Sequence, residues 1–176
     1  MAKRQREWQT DLPSAALTLS RSHVLTPSRL MPFFQNQTRE ELRSMYVQAW
    51  RKRRDNLPVE PVEAQIADVI EAHPEYHAML HPASAALNQE FTPQEGATNP
   101  FLHMGLHLAV RDQVATDRPL GIRGTFAQLA AKLGSAHDAE HAMIDVLAEA
   151  LWNAQRSGLP PDERRYVEQV QRLAGK

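Results

Sequence analysis

The side chain through which this sequence can do chemistry is histidine. Two His-x-x-x-His pairs occur, His103–His107 and His137–His141, and His73, His77 and His81 repeat the same spacing. Residues four apart on a helix stand on one face with Cβ atoms about 5–6 Å apart, so both rings of a pair can reach one ion. Packed helices lie about 8–10 Å axis to axis, a gap that two opposed imidazole pairs span with a metal between them. His103, His107, His137 and His141 are therefore expected to ligate one divalent ion, with Glu140 as a further ligand or proton acceptor. A nitrogen set with an optional carboxylate from Glu140 or Asp138 suits Zn, Fe, Ni or Mn and does not choose among them. If the site were hydrolytic, metal-bound water would be the nucleophile and Glu140 the base, but nothing in the sequence assigns a reaction. His73 and His77 are expected as outer partners of these ligands, as surface residues or as alternative ligands, because Pro74 and Pro82 interrupt their helix.

Two other readings stand beside this one. Several histidines on a helix pair can form a hydrogen-bonded polar layer, each ring satisfied by a carboxylate or carbonyl. The protein would then be a non-catalytic interaction module with an unidentified protein or small-molecule partner. Alternatively, the basic N-terminal region and Arg51–Arg54 touch nucleic acid, with the helices as carrier. A formal charge of −1 and a pI near 6.7 argue against a dedicated nucleic-acid binder. Residues 1–58 hold 11 Lys/Arg against 5 Asp/Glu, while residues 59–98 hold 7 acids and no base. That segregation reads first as two segments complementary to each other in the fold.

Other chemistries find little support. His137-Asp-Ala-Glu-His141 matches the H-x-x-E-H string of inverted zinc peptidases, yet the further ligand and substrate-binding framework of a peptidase have no counterpart. Carboxylate-bridged di-iron bundles need two Glu-x-x-His motifs, and only residues 138–141 approach one. A Gly-rich phosphate loop and a G-x-S-x-G elbow are both missing. The absence of cysteine removes disulfides, thiolate ligands and a cysteine nucleophile, and fits the reducing cytoplasm expected as the location. No apolar run approaches the roughly 18 residues of a membrane span, and the basic N-terminus lacks the apolar stretch of a secretory signal.

The elements that must position the histidines are all helical. Thr38-Arg-Glu-Glu41 is a capping box opening a helix with Leu42, Tyr46, Ala49 and Trp50 on one face. Pro61 starts a second helix through Ala72, with Val62, Ile66, Val69 and Ile70 inward. His73-Pro74 ends it, and short helical turns are expected at 75–80 and 83–87, then a polar loop to Thr98. Asn99 caps a helix over Pro100–Gln113 that is apolar almost all round and reads as a central buried element. A helix over Ile122–Leu133 stops at Gly134. The longest, Ser135–Ser157, is capped by Ser135 and closed by Gly158, with His137, His141, Ile144, Ala148 and Leu151 in one stripe. Pro161–Leu173 supplies a last amphipathic helix. The fold class is all-α, an irregular bundle of about six helices forming one domain over 38–176. Residues 1–37, aperiodic and with three prolines, are expected to be a mobile extension dispensable for folding, and His23 within them carries no weight.

Four strings carry a resemblance: HPEYH at 73–77, NPFLHMGLH at 99–107, HDAEHAM at 137–143, and ALWNAQRSG with the following PPDE at 150–163. Through them the chain resembles a family of small proteobacterial proteins described as a domain of unknown function. The resemblance covers about Thr38 to Leu173. It implies no activity, and it carries His73, His77, His103, His107, His137 and His141 as residues of the family's motifs.

Overall fold

Thr38 opens the first helix as its sequence requires. In the computed structural model, which describes residues 38–81 and 99–175, its hydroxyl accepts from Glu41 N–H and the Glu41 carboxylate accepts from Thr38 N–H, so two orphan donors are satisfied reciprocally. Among the described residues six α-helices follow in chain order: α1 (Arg39–Arg54), α2 (Pro61–Glu71), α3 (Pro100–Thr116), α4 (Ile122–Leu133), α5 (Ala136–Ser157) and α6 (Glu163–Ala174). A 3₁₀ turn over Pro74–Tyr76 follows α2, and no strand occurs among the described residues. The extension before Thr38 and the turn over 83–87 lie outside the described residues.

The chain divides into two compact units, and the division falls inside α3 between Leu108 and Ala109. In the first unit α1 packs on α2 and the 3₁₀ turn follows, with the start of α3 in the same core. Tyr46, Trp50, Ile66, Ile70, Phe101 and Met104 are buried there. Each such side chain removed from water stabilises by roughly 1.5–3 kcal/mol before the entropy of ordering it is counted. Phe101 receives the edge of Tyr46 at 5.6 Å and the guanidinium of Arg43 at 5.0 Å. Desolvation pushes the Tyr46 hydroxyl well above its ordinary pKa, so it stays neutral in the core.

The basic end of α1 is tied to the acidic face of α2. Lys52 Nζ donates to both oxygens of Glu63, at 2.6 and 2.7 Å, and Arg53 pairs with Asp68 and Glu71. Two of the four cations of the Arg51–Arg54 run are thus used within the fold, which supports the self-complementary reading of the charge segregation. The Lys52 hydrogen bonds hold the Glu63 carboxyl below its ordinary value of 4.5, helped by the Glu60 N–H. A carboxylate whose folded pKa lies below its unfolded one stabilises fully above the unfolded value, and that contribution disappears as pH falls through the folded value. Glu63→Gln should therefore flatten the stability loss below about pH 4.5 and lower stability by a pH-independent amount in the neutral region. Denaturant midpoints across an acid series read this directly.

In the second unit α4, α5 and α6 pack pairwise and bury Ile122, Leu129, Met143, Leu147, Tyr166 and Val170. Tyr166 is fully buried, and its hydroxyl donates to Gln113 Oε1 at 2.7 Å. Two helix limits differ from the sequence expectation by two residues or more. Helix α3 continues to Thr116, because Arg123 donates from its guanidinium to the Val114 and Ala115 carbonyls and so satisfies groups a helix end leaves open. Helix α6 starts at Glu163 rather than Pro161, because Asp162 is its N-cap and accepts from Arg165 N–H. Helix α5 has the expected limits. Ser135 Oγ accepts from Asp138 N–H, and Gly158 closes the helix at φ +67°, a conformation that disfavours any residue with a Cβ.

Candidate metal centre

The break after α2 places the first histidine. Pro74 forces the residue before it out of the α region, and His73 sits at φ −126°, ψ 70°. Its ring folds back so that Nδ1 lies 2.7 Å from the Val69 carbonyl, while His77 Nε2 lies 2.9 Å from the Ile70 carbonyl. Carbonyls only accept, so His73 Nδ1 and His77 Nε2 both carry the proton. With the proton on Nδ1, the lone pair of an uncharged ring is on Nε2. A metal-ligating histidine is normally held this way, one nitrogen anchored on a carbonyl and the other turned to the ion.

The other two rings come from the first turns of α3. Asn99 Oδ1 accepts from the N–H groups of Phe101 and Leu102, and Pro100 occupies the first helical position. The helix so started carries His103 and His107 on one face. Both are buried, as is His73, with exposures of 8%, 0% and 1% respectively. His103 Nε2 lies 3.2 Å from His73 Nε2 and 3.2 Å from His107 Nε2. The three rings meet edge to face with centroids 4.5–5.1 Å apart, and a ligand nitrogen from each lies within 4.8 Å of the others.

Protons alone serve this arrangement badly. If His103 Nε2 carries a hydrogen, that hydrogen can point squarely at only one of its two neighbours. If it does not, its lone pair faces the His73 lone pair at 3.2 Å. A cation among three inward lone pairs removes the conflict. With zinc–nitrogen bonds of about 2.0–2.1 Å, each 3.2 Å separation subtends about 100–105° at the ion. The residues present fit a metal.

Aromatic rings wall the cluster. Tyr76 stacks on His73 at 5.6 Å with the planes 7° apart, and stands edge-on to His103 at 6.1 Å. Its hydroxyl is pushed up to about 12, by burial first and by the charge of Glu75 second, so it is a neutral phenol. Trp50 lies over His77 at 4.4 Å. With Nε2 on a carbonyl and its face against Trp50, His77 is positioned beside the cluster rather than in it.

The histidines of α5 form a pair of their own. The rings of His137 and His141 lie 4.3 Å apart. Both residues are half-buried, at the margin of a stripe whose buried members are Glu140, Met143, Ile144, Leu147 and Ala148. The expected stripe through His137, His141 and Ile144 is thus rotated toward Met143 and Leu147. Glu140 is held by Arg111, with Nε to Oε1 at 2.9 Å and Nη2 to Oε2 at 3.1 Å. Both carboxylate oxygens accept from one guanidinium, a geometry that fixes and neutralises the group.

Among the sequence-derived candidates, the fold brings His73 together with His103 and His107, sets His77 alongside, joins His137 to His141, and joins Glu140 to Arg111. His81 is exposed. His73 lies within the cluster, the alternative-ligand place among those the sequence allows it, and the His-Pro dipeptide is the signal for it. Arg111 was overlooked, although it is the first charged residue on an otherwise apolar helix. No helix among the described residues is long and apolar enough to cross a membrane.

Neither a curated protein nor a solved structure matches the chain. Residues 38–172, which include every histidine of the cluster and of the α5 pair, match the profile of a family described as Domain of unknown function (DUF1841). The match covers most of the chain and agrees with the span the four histidine-bearing and flanking strings suggested, and the protein therefore belongs to the DUF1841 family.

Proposed function

We propose that this protein binds a divalent metal ion through the Nε2 atoms of His73, His103 and His107. The observation that supports this is the pair of 3.2 Å nitrogen–nitrogen approaches sharing His103 Nε2, with the His73 proton anchored on the Val69 carbonyl. His137 and His141 enter the proposal from their sequence pattern alone, as the pair from which one further nitrogen is expected. Glu140, engaged by Arg111 on both oxygens, is read as a structural anion rather than a general base. No reaction is assigned. The lack of cysteine supports a cytoplasmic location.

Elemental analysis of untagged protein tests the reading. Wild type and His81→Ala should carry near-stoichiometric metal, and His73→Ala should carry little. Metal-free wild type with an unchanged melting temperature on adding ions would identify the rings as a structural polar layer and the protein as an interaction module.

A further inference from the structure

We infer that the cluster is selective for nitrogen-seeking late first-row ions that accept tetrahedral coordination, zinc or cobalt(II), and that it discriminates against manganese, magnesium and calcium. The inference rests on the metal-binding reading and deepens it by naming the ion class. The first support is the donor set. The three-membered cluster is entirely imidazole, and the chain has no cysteine to add a thiolate. Imidazole suits zinc, copper and nickel, whereas magnesium, calcium and manganese favour carboxylate, carbonyl and water oxygens. Non-haem iron sites of the open kind add a carboxylate to two histidines. The acidic residue that the sequence offered for that role, Glu140, directs both oxygens to Arg111 instead.

The second support is spacing. A late first-row ion with nitrogen bonds of about 2.0–2.1 Å, if held octahedrally, keeps adjacent nitrogens about 90° apart and needs separations just under 3 Å. The observed 3.2 Å between His103 and each neighbour lies closer to the tetrahedral value. The third is rigidity. His73 is tethered to Val69 and backed by the parallel ring of Tyr76, while His103 and His107 are fixed one turn apart on α3. A ligand set that cannot spread resists the higher coordination numbers that calcium prefers.

The probe is Co(II) added to metal-depleted full-length protein, read by visible absorption. The expected result is an intense four-coordinate ligand-field band that rises to one equivalent. One equivalent of Zn(II) should bleach it, while excess Mn(II), Mg(II) or Ca(II) should leave it in place. His81→Ala should reproduce the wild-type titration, and His103→Ala should lose the band. To keep the test independent of folding, His103→Gln with an unchanged circular-dichroism spectrum should lose it too. A weak six-coordinate spectrum, or displacement by manganese, overturns the selectivity inference while leaving a metal site standing. No cobalt uptake at all overturns the metal reading itself, and the inference with it.

Discussion

Replacing His103 by alanine is expected to remove both the metal and the part of the stability that depends on it. His103 Nε2 is the atom common to both 3.2 Å contacts, so neither survives in its absence and only the His73–His107 approach is left. Binding to a site that exists only in the folded chain is folding free energy. At free ion about a thousandfold above Kd, the contribution is about 4 kcal/mol. The measurement is a difference of differences. Wild type unfolded with and without chelator should differ by about that amount, and His103→Ala should show almost no difference. This cancels the cavity cost of the substitution, which appears in both arms. The same design decides the role of the α5 pair. If His141 shares the ion, His103→Ala and His141→Ala are non-additive, because each loses the same ion. Additive effects, with metal content intact in His141→Ala, would confine the site to His73, His103 and His107.

Replacing Arg111 by methionine is expected to cost about 2–4 kcal/mol, without any change in metal content. Glu140 is nearly buried, and both its oxygens accept from Arg111. Removing one partner of a buried pair typically costs about 3–5 kcal/mol, because the other charge is left uncompensated. The Arg111 side chain keeps 28% of its surface in solvent, which places the effect at the lower part of that range. The second substitution, Glu140→Leu in the same chain, should recover most of the loss, since apolar groups of similar volume often replace such a pair at no net cost. Urea midpoints at constant slope measure both variants. A single-variant loss within about 0.5 kcal/mol, the usual range for a surface change, would show the pair to be dispensable. A fall in metal content in Arg111→Met would instead make Glu140 part of the metal chemistry.

Local rules account for much of what could be read before any coordinates. Thr38, Asn99, Ser135 and Gly158 mark helix ends because their side-chain oxygens, or the missing Cβ, act within one turn of the chain. That His103 and His107 share a face, and likewise His137 and His141, follows from 3.6 residues per turn and nothing else. The burial of α3 followed from an apolar surface with no polar side to expose. His73 is different. It reaches His103 across 30 residues of chain, and the dihedral angles of a single residue before a proline decide where its ring goes. Periodicity has no meaning at a helix break, so His73, His77 and His81, evenly spaced in the chain, end in three environments: inside the cluster, against Trp50, and in solvent. Arg111 and Glu140 are likewise 29 residues apart on different helices, and only the rotation of α5 about its axis turns Glu140 inward. That rotation is set by the packing of Met143 and Leu147, a many-body outcome of fitting side chains together at crystal-like density. Spacing along a helix fixes which residues are neighbours on it; which neighbour faces a distant partner depends on how the helices settle against one another, and no pairwise sequence rule contains that term.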